Sequence, residues 1–317
     1  MDDGFVPPPL SRAALQRATG VVGSLITLIA LILLLRRGWA LGDALGDQLL
    51  RLSPASFLAA LAAYLLGGLL HAAGWGVLVR SASSTRPHLA PLFIGHLRSQ
   101  LAKYLPGNIF HFAYRHVAAR REGVGHRALG LALALESILL MAAAAALAFG
   151  VMGDPRIDTV VPWARPLVWL IPLLAAGTWA GIGLIGPRAG YAQLAFSQTG
   201  LPLALVLVAY VAFFVLGAAS LRVLVDQPGA LPFAAWCGWL SLAWIVGYVV
   251  PGAPAGLGLR EAVLVLGLSP VLGDVDALAL ALTYRLITLL ADGLLAIIGF
   301  AVPWYLARAT ESLPRDS

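Results

Sequence analysis

The sequence predicts an all-α polytopic membrane protein made of two inverted repeats, each with three spans and one re-entrant segment broken at a Pro-Gly pair. Three observations lead there. Of the 317 residues, 60% are hydrophobic and 11% charged, with a mean hydropathy of +0.87, whereas soluble domains carry about 25% charged residues. Apolar runs at Val21–Leu35, Ala128–Met152, Leu201–Val225 and Ala277–Ala307 approach or exceed the ~20 residues that cross a bilayer. Finally, "PGNIFHFAYR" (Pro106–Arg115) and "PGAPAGLGLR" (Pro251–Arg260) both read Pro-Gly, seven residues, Arg, and start 145 positions apart.

The elements follow in order. A first span is expected at about Arg17–Leu35. Arg36-Arg37 directly after it mark an uncleaved span rather than a signal peptide. The connector Arg36–Ser53 places Ala40, Leu41, Ala44, Leu45, Leu49 and Leu52 at helical spacing, with Asp43, Asp47 and Arg51 elsewhere, which suits an amphipathic helix lying on the interface. A second span is expected at Ala55–Val79.

Segment Pro91–Arg121 is different. One arm holds Gly95, His96, Arg98, Ser99, Gln100 and Lys103, and the other His111, Arg115 and His116. Each arm is ~14 residues, about 21 Å of helix, too short and polar to cross alone. A re-entrant hairpin with Pro106-Gly107 at its tip fits, covered by protein or water. Further spans are expected at Ala128–Met152, Arg165–Ile185, Leu201–Val225 and Ala277–Ala307. The second break, Pro251–Gly258, lies within Leu231–Pro270, and Leu231–Val250 is apolar enough to cross completely.

Each half therefore reads span, span, broken segment, span. "LALALES" (Leu131–Ser137) also matches "LALALTY" (Leu278–Tyr284) at an offset of 147. Residues 17–152 form the first repeat and 165–307 the second, within one transmembrane domain over 1–317. With an odd number of crossings per half, the second copy is inverted, a transporter pattern whose broken segments mark the binding site. Arginines divide ten to six in favour of both termini in the cytoplasm of a cell-membrane protein.

Composition also excludes functions. The 21 basic and 15 acidic residues leave a net charge of +6, concentrated at span ends, where it sets topology and meets lipid headgroups rather than nucleic acid. The single Cys237 excludes an intrachain disulfide and any cysteine-based metal site. The histidines show no metal spacing, and Gly-Lys-Ser/Thr, Gly-x-Ser-x-Gly and paired Cys-x-x-Cys signatures are missing. No cofactor, metal or enzymatic activity is expected.

The breaks carry the chemistry. A helix starting at mid-depth exposes unpaired N–H groups and about +0.5 charge, suited to a phosphate or carboxylate. Gly lets the backbone approach a ligand, and the following Arg adds a bidentate cation. Lys103, Pro106, Gly107, Asn108, Arg115, Gly256, Gly258, Arg260 and Arg285 are the candidate substrate-binding residues. Glu136 and Arg285, nearly matched in the two repeats, are expected to pair or to contact substrate alternately. Glu261 is a coupling-proton site or the partner of Arg260. Asp292 reads as holding neighbouring helices together, His111 and His116 at most as proton carriers, and Trp236, Trp239 and Trp244 as packing or interfacial anchors.

At "KYLPGN…R" and "PAGLGLRE…YRL" the chain resembles the membrane domain of lysylphosphatidylglycerol synthase/flippase proteins and their stand-alone relatives, the UPF0104 family, over nearly its whole length. Lys103, Pro106, Gly107 and Arg115 fit the first motif, Pro254, Gly256, Gly258 and Glu261 the second, and Arg285 the arginine of the last span. Ala255 stands where the family usually has a second glycine. The resemblance implies a flippase-like transporter of an anionic or aminoacylated phospholipid, or of a polyprenyl-phosphate glycolipid. Its partner is then a lipid headgroup, with a lipid-modifying enzyme or glycosyltransferase as a further partner. The family's soluble aminoacyl-transferase domain has no counterpart here. Two other readings stay open: a non-transporting scaffold for envelope lipid or glycan synthesis, and a membrane-embedded transferase using Asp43, Asp47, Asp154 or Asp158.

Overall fold

Ser53 and Pro54 start the first helix that the computed structural model describes. The Ser53 hydroxyl accepts from the Ser56 N–H at 3.0 Å, and Pro54, which has no N–H to satisfy, occupies the first helical position. The structure describes residues 53–104, 109–160, 166, 168–170, 173, 177, 196–225, 231–250 and 254–311. The expected span Arg17–Leu35, nearly all of the connector 36–53, most of Arg165–Ile185 and the corners Pro106–Asn108 and Pro251–Ala253 lie outside the described residues.

Within them all regular structure is helical. Helix α1 is Pro54–Ala82; α2 is Leu89–Arg98, tightening into a 3-10 segment, Ser99–Tyr104; α3 is Phe110–Arg121; α4 is His126–Ala148. A short α5, Arg156–Val160, precedes α6, Phe196–Arg222, and α7, Phe233–Val249. A 3-10 turn, Pro254–Gly256, leads into α8, Leu259–Leu272, and α9, Asp274–Glu311. Four stretches are long and apolar enough to span a membrane: Pro54–Ala82, His126–Val151, Gly200–Arg222 and Asp274–Val302. They agree with the expected spans to within a few residues. This is the architecture of an all-α membrane protein. Segment Leu231–Pro270 is divided between α7, of 17 residues, about 26 Å of helix, and the shorter α8.

Small residues let the long helices approach closely, the usual device where lipid gives no hydrophobic drive for helix association. Helix α1 packs along α6, where a side chain at Gly74 would come 2.5 Å from the Tyr210 ring. Helix α4 packs on α7, and α9 on α1, α2 and α8. Trp75, Tyr210, Phe214, Trp236 and Trp239 fill the interior, while Leu201, Val208, Ile297 and Phe300 point outward.

The loop after α4 is fastened by one arginine. Asp154 accepts from the Arg156 backbone N–H at 3.0 Å and from its Nε at 2.8 Å, and also pairs with its Nη2. Arg156 donates onward from Nη1 to the Leu266 carbonyl of α8 at 3.0 Å and lies over the Trp239 ring of α7. The hydrogen-bonded Arg156 side chain holds the Asp154 carboxyl below the usual carboxylate range.

Candidate functional site

A cavity of about 110 Å³ lies inside the helix bundle. That is less than the ~150 Å³ that accepts a benzene ring, so it has room for a small polar group only. It draws its walls from almost every helix: Tyr64 and His71 of α1, Lys103 and Tyr104 before the first corner, Arg115 of α3, Glu136 of α4, Trp244 of α7, Arg260 of α8, and Arg285 and Asp292 of α9. A smaller chamber of about 40 Å³ adjoins it, sharing Tyr64, Phe213, Trp244, Arg260, Arg285 and Thr288, and is otherwise lined mainly by apolar residues. The two arginines of the second half thus sit where the two chambers meet.

The sequence-predicted charges converge here, but their partners differ from the expected ones. Glu136 does not pair with Arg285. Its Oε1 accepts from Arg115 Nη1 at 2.6 Å and contacts His71 Nε2 at 3.1 Å. Arg115, 3% exposed, also lies over the Trp75 ring at 4.4 Å and touches His96 Nδ1 at 3.1 Å. Glu136 neutralises its guanidinium, while Arg115 Nε is buried without an acceptor. Lys103 pairs with Asp292 at 2.8 Å, and the Tyr104 hydroxyl donates to the same carboxylate at 2.5 Å. Asp292 does hold elements together, and it also lines the cavity.

The second half leaves its cations short of acceptors. Arg285 is 7% exposed; it donates to the Ala255 carbonyl at 3.3 Å and has Glu261 at 3.6 Å, too long for a hydrogen bond. Its Nε and Nη2 and the Nε of Arg260 are buried without an acceptor. Arg260 has no carboxylate within salt-bridge distance among the described residues, and Glu261 is the ion-pair neighbour of Arg285 rather than the partner of Arg260.

Two glycines, Gly256 of the second motif and Gly247 of α7, make room for the Arg260 side chain. Gly256 has φ +72°, and a side chain there would meet Arg260 Nε at 2.6 Å; one at Gly247 would meet Arg260 Cγ at 2.7 Å. Arg260 threads a slot between these two backbones. Neither Gly256 nor Gly258 lines the cavity. The Gly258 N–H, at the start of α8, donates to Glu261 Oε2 at 2.7 Å, so the helix caps itself. At the start of α3, Ile109 and Phe110 are exposed at 62% and 45%. Guanidinium groups face the cavity, together with His111 and Phe112 from the first turn of α3. Pro106, Gly107 and Asn108 lie outside the described residues, but the segments flanking the two corners meet: Ser99–Tyr104 packs against Pro254–Gly256.

Of the remaining candidates, His111 lines the cavity, while His116 hydrogen-bonds through Nε2 to Nδ1 of exposed His126 at 2.9 Å, the rings stacked 5.1 Å apart. Trp236 and Trp239 are packing residues, and Trp244 reaches the cavity stacked on Tyr248. His71, Trp75 and Tyr104 were not singled out from sequence. An ionisable group midway along an apolar span is the signal that exposes His71; Trp75 and Tyr104 carry none.

Compared with known proteins, the chain matches no family model and no curated protein.

Proposed function

We propose that this protein is a flippase-like transporter that moves a phosphate-bearing lipid between leaflets of the cell membrane, without enzymatic activity of its own. The observation that carries the reading is the Arg260–Arg285 pair: two guanidiniums with three buried donors that lack a hydrogen-bond acceptor, at the junction of the two chambers. Buried donors without acceptors cost about 1–3 kcal/mol each, more when charged, and a phosphate oxygen supplies the acceptor. The exposed apolar helix faces, Leu201, Val208, Ile297 and Phe300 among them, leave hydrocarbon chains in a compatible environment.

Lysylphosphatidylglycerol synthase/flippase membrane domains remain the family the chain resembles, on Lys103, Arg115, Gly256, Gly258, Glu261 and Arg285. We place both termini in the cytoplasm and read 17–152 and 165–307 as inverted repeats with re-entrant broken segments. The neighbour pattern supports this symmetry. Exchanging α1 with α6, α2 with α7 and α4 with α9 turns the α1–α2 contact into α6–α7, α1–α9 into α6–α4 and α2–α9 into α7–α4, and all six contacts exist. The transferase reading loses support because Asp154 is engaged by Arg156 as a structural fastening.

Reconstituted into liposomes with a fluorescent phospholipid, the protein is expected to equilibrate label between leaflets. Arg260→Ala combined with Arg285→Ala is expected to reduce that rate to the protein-free level. Undiminished flipping by the double variant contradicts the proposal. Lipid binding without movement by the unaltered protein would instead make it a scaffold.

A further inference from the structure

We infer that the ligand carries a single negative charge at phosphorus, as a phosphodiester does, and that phosphomonoesters and diphosphates are rejected. This deepens the proposed function and rests on its anion site. Seven acidic and basic side chains surround the two chambers among the described residues, counted in their ordinary charged forms. Arg115 has Glu136 at 2.6 Å, Lys103 has Asp292 at 2.8 Å and Arg285 has Glu261 at 3.6 Å. Arg260 is left over. The four cations and three carboxylates sum to one positive charge.

The histidines do not alter the sum. Arg115 Nη1 can only donate, so His96 Nδ1, at 3.1 Å, accepts and bears no proton; His96 is therefore neutral. His71 donates to Glu136, and His111 lies against the cavity with no carboxylate within salt-bridge distance among the described residues; above the ordinary histidine range of about 6.5 neither adds charge. A buried, uncompensated charge is costly, and so is one of the opposite sign. A phosphodiester cancels the excess, and its two non-ester oxygens meet the free donors of Arg260 and Arg285. A doubly charged monoester leaves the site with a net negative charge and nothing to offset it.

Lipid and soluble molecules both contain phosphodiesters, and the exposed apolar helix faces favour the lipid. The test is calorimetric titration of the full-length protein in detergent at about pH 8.5, where histidines are neutral and a monoester carries both charges. The probes are dihexanoylphosphatidylglycerol as diester lipid, dihexanoylphosphatidic acid as monoester lipid, and dimethyl phosphate as soluble diester. The diester lipid should bind at least about tenfold more tightly than the monoester lipid. Glu261→Gln and Asp292→Asn each add one positive charge while keeping side-chain shape, and Gln can still accept from Gly258. Each should shift the preference toward the monoester by about tenfold or more.

Equal or tighter monoester binding by the unaltered protein overturns the inference, as does a diester preference unmoved in both variants. Dimethyl phosphate binding as tightly as the lipid supports the single-charge rule and removes the lipid reading. Failure of all three probes to bind overturns both.

Discussion

Arg115 and Arg260 follow their Pro-Gly pairs at the same spacing, yet the chain surrounds them differently. Where the first half sets Glu136 against its arginine, the second sets another arginine, Arg285, at a nearly matching place. Arg115–Glu136 is therefore a buried pair whose breaking is expensive. Glu136→Ala is expected to destabilise the detergent-solubilised protein by about 3–5 kcal/mol, measured by chemical denaturation. Joining it with Arg115→Met should recover much of that loss, because no charge is then stranded; a double variant as unstable as the single contradicts the pairing. Gly256 makes a second residue-scale prediction. In Gly256→Ala the new methyl group collides with Arg260 Nε, and the positive φ adds about 1–2 kcal/mol of strain. Lipid affinity should fall as far as in Arg260→Gln while circular dichroism still reports a helical protein. Unaltered affinity in Gly256→Ala would show that the slot does not aim the arginine.

At the scale of elements, the Asp154–Arg156 fastening ties the end of α4 to α7 and α8. Its carboxyl has a depressed pKa in the folded protein, so the stabilisation is present above the unfolded-state value of about 4 and fades as pH falls through the folded one. Wild type should exceed Asp154→Asn in thermal stability at neutral pH, and the gap should close in acid below about pH 4; a gap independent of pH contradicts this. Span positions were legible because length and hydropathy alone decide whether a helix can cross. Which side chains meet across helices was not. The offset between repeats matched Glu136 with Arg285 in sequence, but the packing of α3 against α4 sets Arg115 on Glu136 instead. The Gly-x-x-Glu pattern at Gly258–Glu261 is a legible capping signal, and it explains why α8 keeps its own N-terminus occupied.

For the molecule as a whole, the proposed topology has α4 crossing from the cytoplasmic to the outer face. Cys237 is buried, which leaves a quiet background for labelling. In intact cells an impermeant maleimide should modify Gly153→Cys, whereas Glu122→Cys should react only after permeabilisation; the reverse pattern inverts the orientation, and labelling of both from one side denies the crossing. The division between a neutralised first half and an under-neutralised second half predicts where a headgroup comes to rest. A cryo-EM reconstruction with bound phosphatidylglycerol tests this most directly. The account predicts phosphate density within hydrogen-bonding distance of both Arg260 and Arg285, inside the bundle. Lipid density confined to the outer surface of the helices, with those two arginines still unoccupied, would contradict it.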